Sequence, residues 1–273
     1  LSDPITDSDA STRTGDALPE TLEEVVRTYK PRWFKIKLSG DVNASLERLR
    51  RIAEVLDREA GDYQVTLDGN EQFHVMEEVV DLVKKLQARE WLGNLWNRTA
   101  WIEQPVDRAE SLGPDVAAAL RRIPQSVIID ESDGTDDAVD RALSLGYRGI
   151  SAKNCKGVFR TLHSFRRCGE KGAVLSSEDL MNIPVVPLHQ DLCVAAALGI
   201  THSERNGHHY IRAFEYFSPK EREAAIREFP ELYREGRPTV RVEDGAIDVS
   251  GINAFGFGVR SEPDWSFLEK VSL

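Results

Sequence analysis

The sequence predicts an α/β chain folded as a TIM-type (β/α) barrel, and three observations carry that expectation. Short apolar strands alternate with helical stretches of about 10 to 15 residues, a pattern that calls for parallel strands covered on both faces. At least six such strand-helix units recur at a mean spacing of about 30 residues, which favours a barrel over a doubly wound sheet. No GxGxxG or P-loop follows the first strand, which lowers the nucleotide-binding alternative.

Each element has its own signal. "LPETLEEVVRTYKP" reads as a helix, with glutamates at its start and Pro31 at its end. "RWFKIKL" reads as a strand. "NASLERLRRIAEVLDREAG" is an amphipathic helix closed by Gly61, and "YQVTLDGN" is a strand entering a turn. "HVMEEVVDLVKKLQAR" is helical, and "TAWIEQP" is a strand stopped by Pro105. "GPDVAAALRRIP" and "SVIIDES" repeat the pair, as do "TDDAVDRALSLG" with "RGISAKN" and "GVFRTLHSFRRCG" with "GAVLSSED". "PLHQDLCVAAALG" and "ITHSERNG" follow as a further helix and strand. The barrel is expected over residues 21–218, after a polar segment 1–20. Residues 219–273 are expected to form an extension packed on it: a charged helix, "KEREAAIREFPELYREG", and a hairpin turning at Asp244-Gly245.

The 273 residues are 41% hydrophobic, enough for one large single-core domain or two small ones, and carry a net charge of -11. An acidic surface disfavours nucleic acid and anionic membrane as partners. No apolar run approaches a membrane span of about 18 residues, and the polar start lacks the regions of a secretory signal. The chain begins without methionine, as a mature product or fragment would. Three cysteines without CxxC spacing, Cys155, Cys168 and Cys193, fit reduced thiols in a cytoplasmic protein.

The stretch "WFKIKLSG" places Lys35 and Lys37 where a buried strand would carry valine or isoleucine. They alternate with Phe34, Ile36 and Leu38, so both ammonium groups point to one face. Buried cations need anionic company. Asp68 in "TLDGN", Glu103 in "WIEQP", Asp130 in "IIDES" and Lys153 in "SAKN" supply the rest of a row at strand ends. The intervals from Lys37 onward (37 to 68, 68 to 103, 103 to 130, 130 to 153) are 31, 35, 27 and 23 residues, each about one βα unit. On a barrel they reach one rim, where barrel enzymes carry their active sites. Three converging carboxylates would repel unless they shared a cation, and oxygen-only ligands favour a hard ion such as Mg2+. The lysines then face an anionic substrate, and their mutual repulsion lowers a lysine pKa toward that of a usable base.

At these residues the chain resembles the enolase superfamily, specifically its muconate lactonizing enzyme-like subgroup. The resemblance rests on the KxK strand (Lys35, Lys37), the DxN strand (Asp68, Asn70), the Glu103 strand, "DES" (Asp130, Glu131) and the sixth-strand Lys153, over roughly residues 30 to 205. It implies a (β/α)7β-like barrel with Mg2+ held by Asp68, Glu103 and Asp130. Lys37 and Lys153 would flank the substrate α-carbon as base and acid or as two bases, Lys35 would tune Lys37, and Asn70 and Glu131 would support the ligands. His202 and Glu204 would contact the substrate. The first barrel strand and the capping domain of that superfamily are expected to be missing, with the cap coming from the same gene or another chain. The implied reaction is removal of a proton α to a carboxylate, giving racemisation or epimerisation, dehydration or cycloisomerisation of a small carboxylic acid.

Blander readings stand beside these. Singly, each carboxylate is a turn residue, and Lys35 or Lys153 a surface lysine, with Lys156 close enough to be mistaken for Lys153. His202 is a hydrogen-bonded rim residue as readily as a substrate contact, His208 and His209 fall beyond the rim and are not zinc ligands, His74, His163 and His189 are structural or exposed, and the cysteines are packing residues. Two other functions remain open: a Schiff-base lysine aldolase, and a non-catalytic metal-binding scaffold lacking its cap. A homo-oligomer is compatible with the sequence.

Overall fold

Strand and helix periodicities alternate along residues 1–177 because each strand carries apolar side chains for one layer of helices and different chemistry for its other face. The computed structural model describes residues 4–181, 183–205, 212, 214, 215, 217–237 and 239–252. The chain divides into two units, residues 1–177 and 178–273.

In the first unit, helix α1 (Leu22–Tyr29) starts at a capping box in which Thr21 and Glu24 satisfy each other's backbone N–H groups. It ends at Lys30, whose φ of 50° is left-handed. Strand β1 (Trp33–Lys37) leads to α2 (Val42–Glu59), where the Asp41 carboxylate accepts hydrogen bonds from the N–H groups of Asn43 and Ala44. Then come β2 (Gln64–Asp68), α3 (Met76–Gln87), a short α4 (Gly93–Asn97) and β3 (Thr99–Glu103). They are followed by α5 (Val116–Leu120), β4 (Ser126–Ile128), α6 (Ala138–Leu145), β5 (Gly149–Ala152), α7 (Val158–Lys171) and β6 (Val174–Ser177).

Strands β1 to β4 form one parallel sheet in sequence order, and β5 pairs with β6 in parallel. Between β4 and β5 the pairing is reduced to a single parallel bridge, Ile129 to Ile150. Six successive parallel strands with intervening helices make the wall of a TIM-type α/β barrel. Phe34, Ile36, Val65, Leu67, Ile102, Val127, Ile129 and Ile150 from the strands share one buried cluster with Leu49, Ile52 and Leu56 of α2 and Val79, Val80 and Val83 of α3. Each such side chain contributes about 1.5 to 3 kcal/mol of burial. The alternate strand positions face the other way, and they carry the ionisable residues.

The second unit contains α8 (Val186–Ala197) and α9 (Pro219–Glu228). Helix α9 starts at a Ser218–Glu221 capping box and stops ahead of Pro230, shorter than the sequence expectation, because proline cannot continue the ladder. Leu188, Leu192, Phe214, Phe229, Leu232, Tyr233 and Val240 form its buried cluster. His189 is fully buried there, its Nε2 at 2.9 Å from the Tyr233 hydroxyl. The expected strand in "ITHSERNG" is corrected. Residues 200–205 form no regular strand, and Arg205 only bridges Leu180. Thr201, His202, Ser203 and Glu204 are consecutive polar residues with no apolar alternation to bury on either face. The turn at Asp244-Gly245 is present, both residues at positive φ, with Glu243 and Ala246 exchanging both backbone hydrogen bonds at 2.9 Å. The pairing extends to that one bridge among the described residues. No helix among the described residues is long and apolar enough to cross a membrane.

Candidate active site and metal centre

Strand register assembles the row. Lys37 is paired with Asp68, Asp68 with Glu103 and Glu103 with Ile128, so these positions share one level and one face of the sheet. Asp130, two residues past Ile128, returns to that face. The bridge of Ile129 to Ile150 aligns Asp130 with Ser151, and Lys153 follows two residues later. Six side chains separated by up to 118 positions (35 to 153) are thus projected to one rim by pairing alone.

The charges meet. Lys35 Nζ lies 3.0 Å from Asp68 Oδ2 and 3.0 Å from Glu103 Oε2. Lys37 Nζ lies 2.5 Å from the same Asp68 oxygen. Lys153 Nζ lies 2.6 Å from Asp130 Oδ2. The three carboxylate side chains are 0 to 2% exposed, whereas Lys37 is 47% exposed and opens toward solvent. Uncompensated, such burial would be prohibitive for carboxylates. A carboxylate oxygen of Glu103 lies within 4.8 Å of one of Asp130, a spacing one cation can bridge, while Asp68 reaches Glu103 through the shared Lys35 ammonium. The donor set is all oxygen, as a hard divalent ion requires.

The supports expected around the row are also together. Asn70 donates its backbone N–H to Asp68 Oδ1 at 2.9 Å and its side-chain amide to Glu131 Oε1 at 3.1 Å. Burial, then repulsion from Asp130, pushes the Glu131 carboxyl above its ordinary value. Asn70 and Glu71 hold positive φ values of 40° and 65°, the conformation that turns the chain back over the rim. Below the row, the rings of Trp33 and Trp101 pack at 5.4 Å, two residues before Lys35 and Glu103 respectively.

Two residues carry more than the sequence reading gave them. Gln104, nearly fully buried, accepts from the N–H groups of Asp130 and Ser132 and donates to Val106 O and Ser132 Oγ, tying the end of β3 to the loop after β4. Lys156 reaches Asp130 as well, its Nζ 2.8 Å from Oδ1. The only trace of either in the sequence is a polar residue within three positions of a site residue.

His202 and Glu204 belong to the second unit. Burial pushes the His202 imidazole pKa down. Glu204 Oε2 accepts from Asp179 N at 3.4 Å, and oxygens of Glu178, Asp179 and Glu204 lie within 4.8 Å of one another. Glu178, the residue directly after β6, is a strand-end carboxylate that the sequence reading passed over. His208 and His209 lie outside the described residues. The three cysteines are free: Cys168 is buried in the first unit's core, which pushes its thiol up to about 11, and Cys155 is exposed.

A family model described as Enolase C-terminal domain-like matches residues 17–265. Among solved structures, the chain is similar to a mandelate racemase/muconate lactonizing protein from Paracoccus denitrificans Pd1222, at 16% identity and a TM-score of 0.52 over 68% of this chain and 49% of that one. A structure of such a protein from the same organism complexed with magnesium gives 15% identity and 0.51 over 68% and 49%. A dipeptide epimerase from Cytophaga hutchinsonii, complexed with Mg and the dipeptide D-Ala-L-Val, gives 17% identity and 0.51 over 64% and 45%. The chain spans about half the length of these proteins. No curated protein matches it significantly.

Proposed function

The chain belongs to the enolase C-terminal domain-like family, and on that premise we propose that its rim abstracts a proton α to a carboxylate, with a divalent cation as cofactor. The observation that carries this reading is the row itself: three buried carboxylates and three lysines on one face, each lysine in contact with a carboxylate. Within the row three negative and three positive charges balance, and Lys156 beside Asp130 is answered by Asp133. A divalent ion held by Asp68, Glu103 and Asp130 would add two positive charges. An α-deprotonated carboxylate carries two negative charges on one group, so the loaded site would complement it. Mg2+ is the ion that fits an all-oxygen donor set, and two of the similar structures contain it.

In this reading Lys37 is the proton-transferring group on the solvent-open side. Lys153 serves the other face, and Lys35 holds the substrate carboxylate and the charge of Lys37. Asn70 and Glu131 fix Asp68 and the loop after β4. Lysines on two sides permit racemisation or epimerisation of a small acid, and dehydration or cycloisomerisation uses the same first step. The dipeptide in one similar structure favours peptide-like acids as the first substrates to try. His202 and Glu204 are carried forward as candidate substrate contacts, and the absence of disulfides among the three cysteines supports a cytoplasmic setting.

The test is exchange of the α-proton with solvent deuterium, followed by NMR across dipeptides, N-acyl amino acids and acid sugars with Mg2+ present. The parent chain is expected to exchange at least one substrate, and Lys37→Ala and Lys153→Ala to lose the exchange by about 100-fold or more while keeping their circular dichroism. Full exchange by both variants removes the lysines from the chemistry. Metal binding with no exchange on any substrate supports a binding scaffold instead.

A further inference from the structure

Lys156 has no part in the reading above, yet its ammonium sits among backbone and carboxylate oxygens beside Asp130. Its Nζ donates to the backbone carbonyl of Asp130 at 2.8 Å and to that of Ser151 at 3.1 Å. It also lies 2.8 Å from Asp130 Oδ1 and 3.7 Å from Asp133 Oδ2.

Backbone pairing explains why a side chain goes there. Between β4 and β5 the ladder runs from Ile129 N to Gly149 O at 3.2 Å and from Ser151 N to Ile129 O at 2.8 Å. The next donor of a parallel ladder would be the N–H of Glu131, aimed at Ser151 O. The chain instead turns after Asp130, where Asp133 N donates to Asp130 O. The Lys156 ammonium meets the Ser151 carbonyl in that donor's place and holds the Asp130 carbonyl with the same group. A 3₁₀ turn over Asn154–Lys156 delivers it, with Lys156 N donating to Lys153 O at 3.0 Å. Such a turn nearly aligns side chains at i and i+3. Lys153 and Lys156 therefore reach the same carboxylate, one at Oδ2 and the other at Oδ1.

We propose that Lys156 is a positioning residue: it clamps the ends of β4 and β5 where regular pairing stops, and so sets Asp130 against Lys153 and toward the metal. This rests on the metal reading given above. It makes a prediction opposite in sign to that of simple charge. As a mere cation 2.8 Å from a ligand oxygen, Lys156 would compete with a divalent ion, and its removal would tighten binding. As a clamp, its removal leaves Asp130 free to wander and weakens binding, as loss of partners around metal ligands does.

The experiment titrates the chain with Mn2+, reading free ion by electron paramagnetic resonance, for the parent, Asp130→Asn, Lys156→Met and Lys156→Gln, with a melting curve for each. Lys156→Met keeps the stem and removes charge and donors; Lys156→Gln keeps donors without charge. The proposal expects Mn2+ to bind Lys156→Met about tenfold or more weakly, with its melting temperature close to the parent's, and Lys156→Gln to recover part of the loss. Equal or tighter binding by Lys156→Met overturns it while leaving the metal reading in place. A parent that binds no Mn2+, or whose binding ignores Asp130→Asn, overturns both. If Lys156→Met does not fold, Lys156→Gln decides: weaker binding supports the clamp, and equal or tighter binding overturns it.

Discussion

Gly69, between Asp68 and Asn70, has no room for a side chain. A Cβ there would lie 2.5 Å from Pro105 Cα and 3.3 Å from Gln104 O. The turn after β2 thus presses on the backbone after β3, and this close approach keeps Asp68 and Glu103 level. Gly69→Ala is expected to cost about 1 to 3 kcal/mol in urea unfolding, and to weaken divalent-ion binding with it. The acidic and basic members of the row were legible at this scale because strand-end spacing marks them one by one. Gln104 was not, since its work is done on the backbone groups of Asp130, Ser132 and Val106. A sequence does not display which carbonyls and N–H groups the sheet leaves over. Lys156 was legible only as a neighbour of Lys153, and its hold on the Asp130 and Ser151 carbonyls was hidden for the same reason.

At the scale of elements, the N-terminal segment and helices α1 and α2 are laced by charge. Arg27 pairs with Asp7 and Glu59, and Arg58 with Glu23 and Glu59. The Arg27 hydrogen bond, then that of Arg58, holds the Glu59 carboxyl down to about 2. A depressed carboxylate binds fewer protons folded than unfolded. Its stabilisation is therefore full above the ordinary value of 4.5 and is lost as pH falls toward about 2. Glu59→Gln is expected to melt slightly lower than the parent at pH 7 and to lose that difference by pH 2. Added salt should shrink the gap because these groups face solvent. Helices α1, α2, α3 and α7 were readable from their apolar spacing and ends. Helix α4 was not, because five residues are too few to show a period. The strand expected near Glu204 failed for want of apolar alternation.

For the molecule as a whole, the order of parallel strands was the most legible feature, since an ionisable side chain lies at or within two residues of the end of each strand from β1 to β5. If the proposed ion binds, its binding is linked to folding, because only the folded wall gathers Asp68, Glu103 and Asp130. Millimolar Mg2+ is expected to raise the melting temperature of the parent by a few degrees, following mass action, and Asp130→Asn to reduce that rise by more than half. A melting curve indifferent to Mg2+ would count against the ion. The tilted, closely packed indoles of Trp33 and Trp101 give the molecule an optical gauge of its own rim. Their emission should respond whenever an ion or acid settles beside Lys35 and Glu103, and Trp101→Phe should silence that signal without emptying the site, so occupancy becomes visible in a cuvette with no label attached.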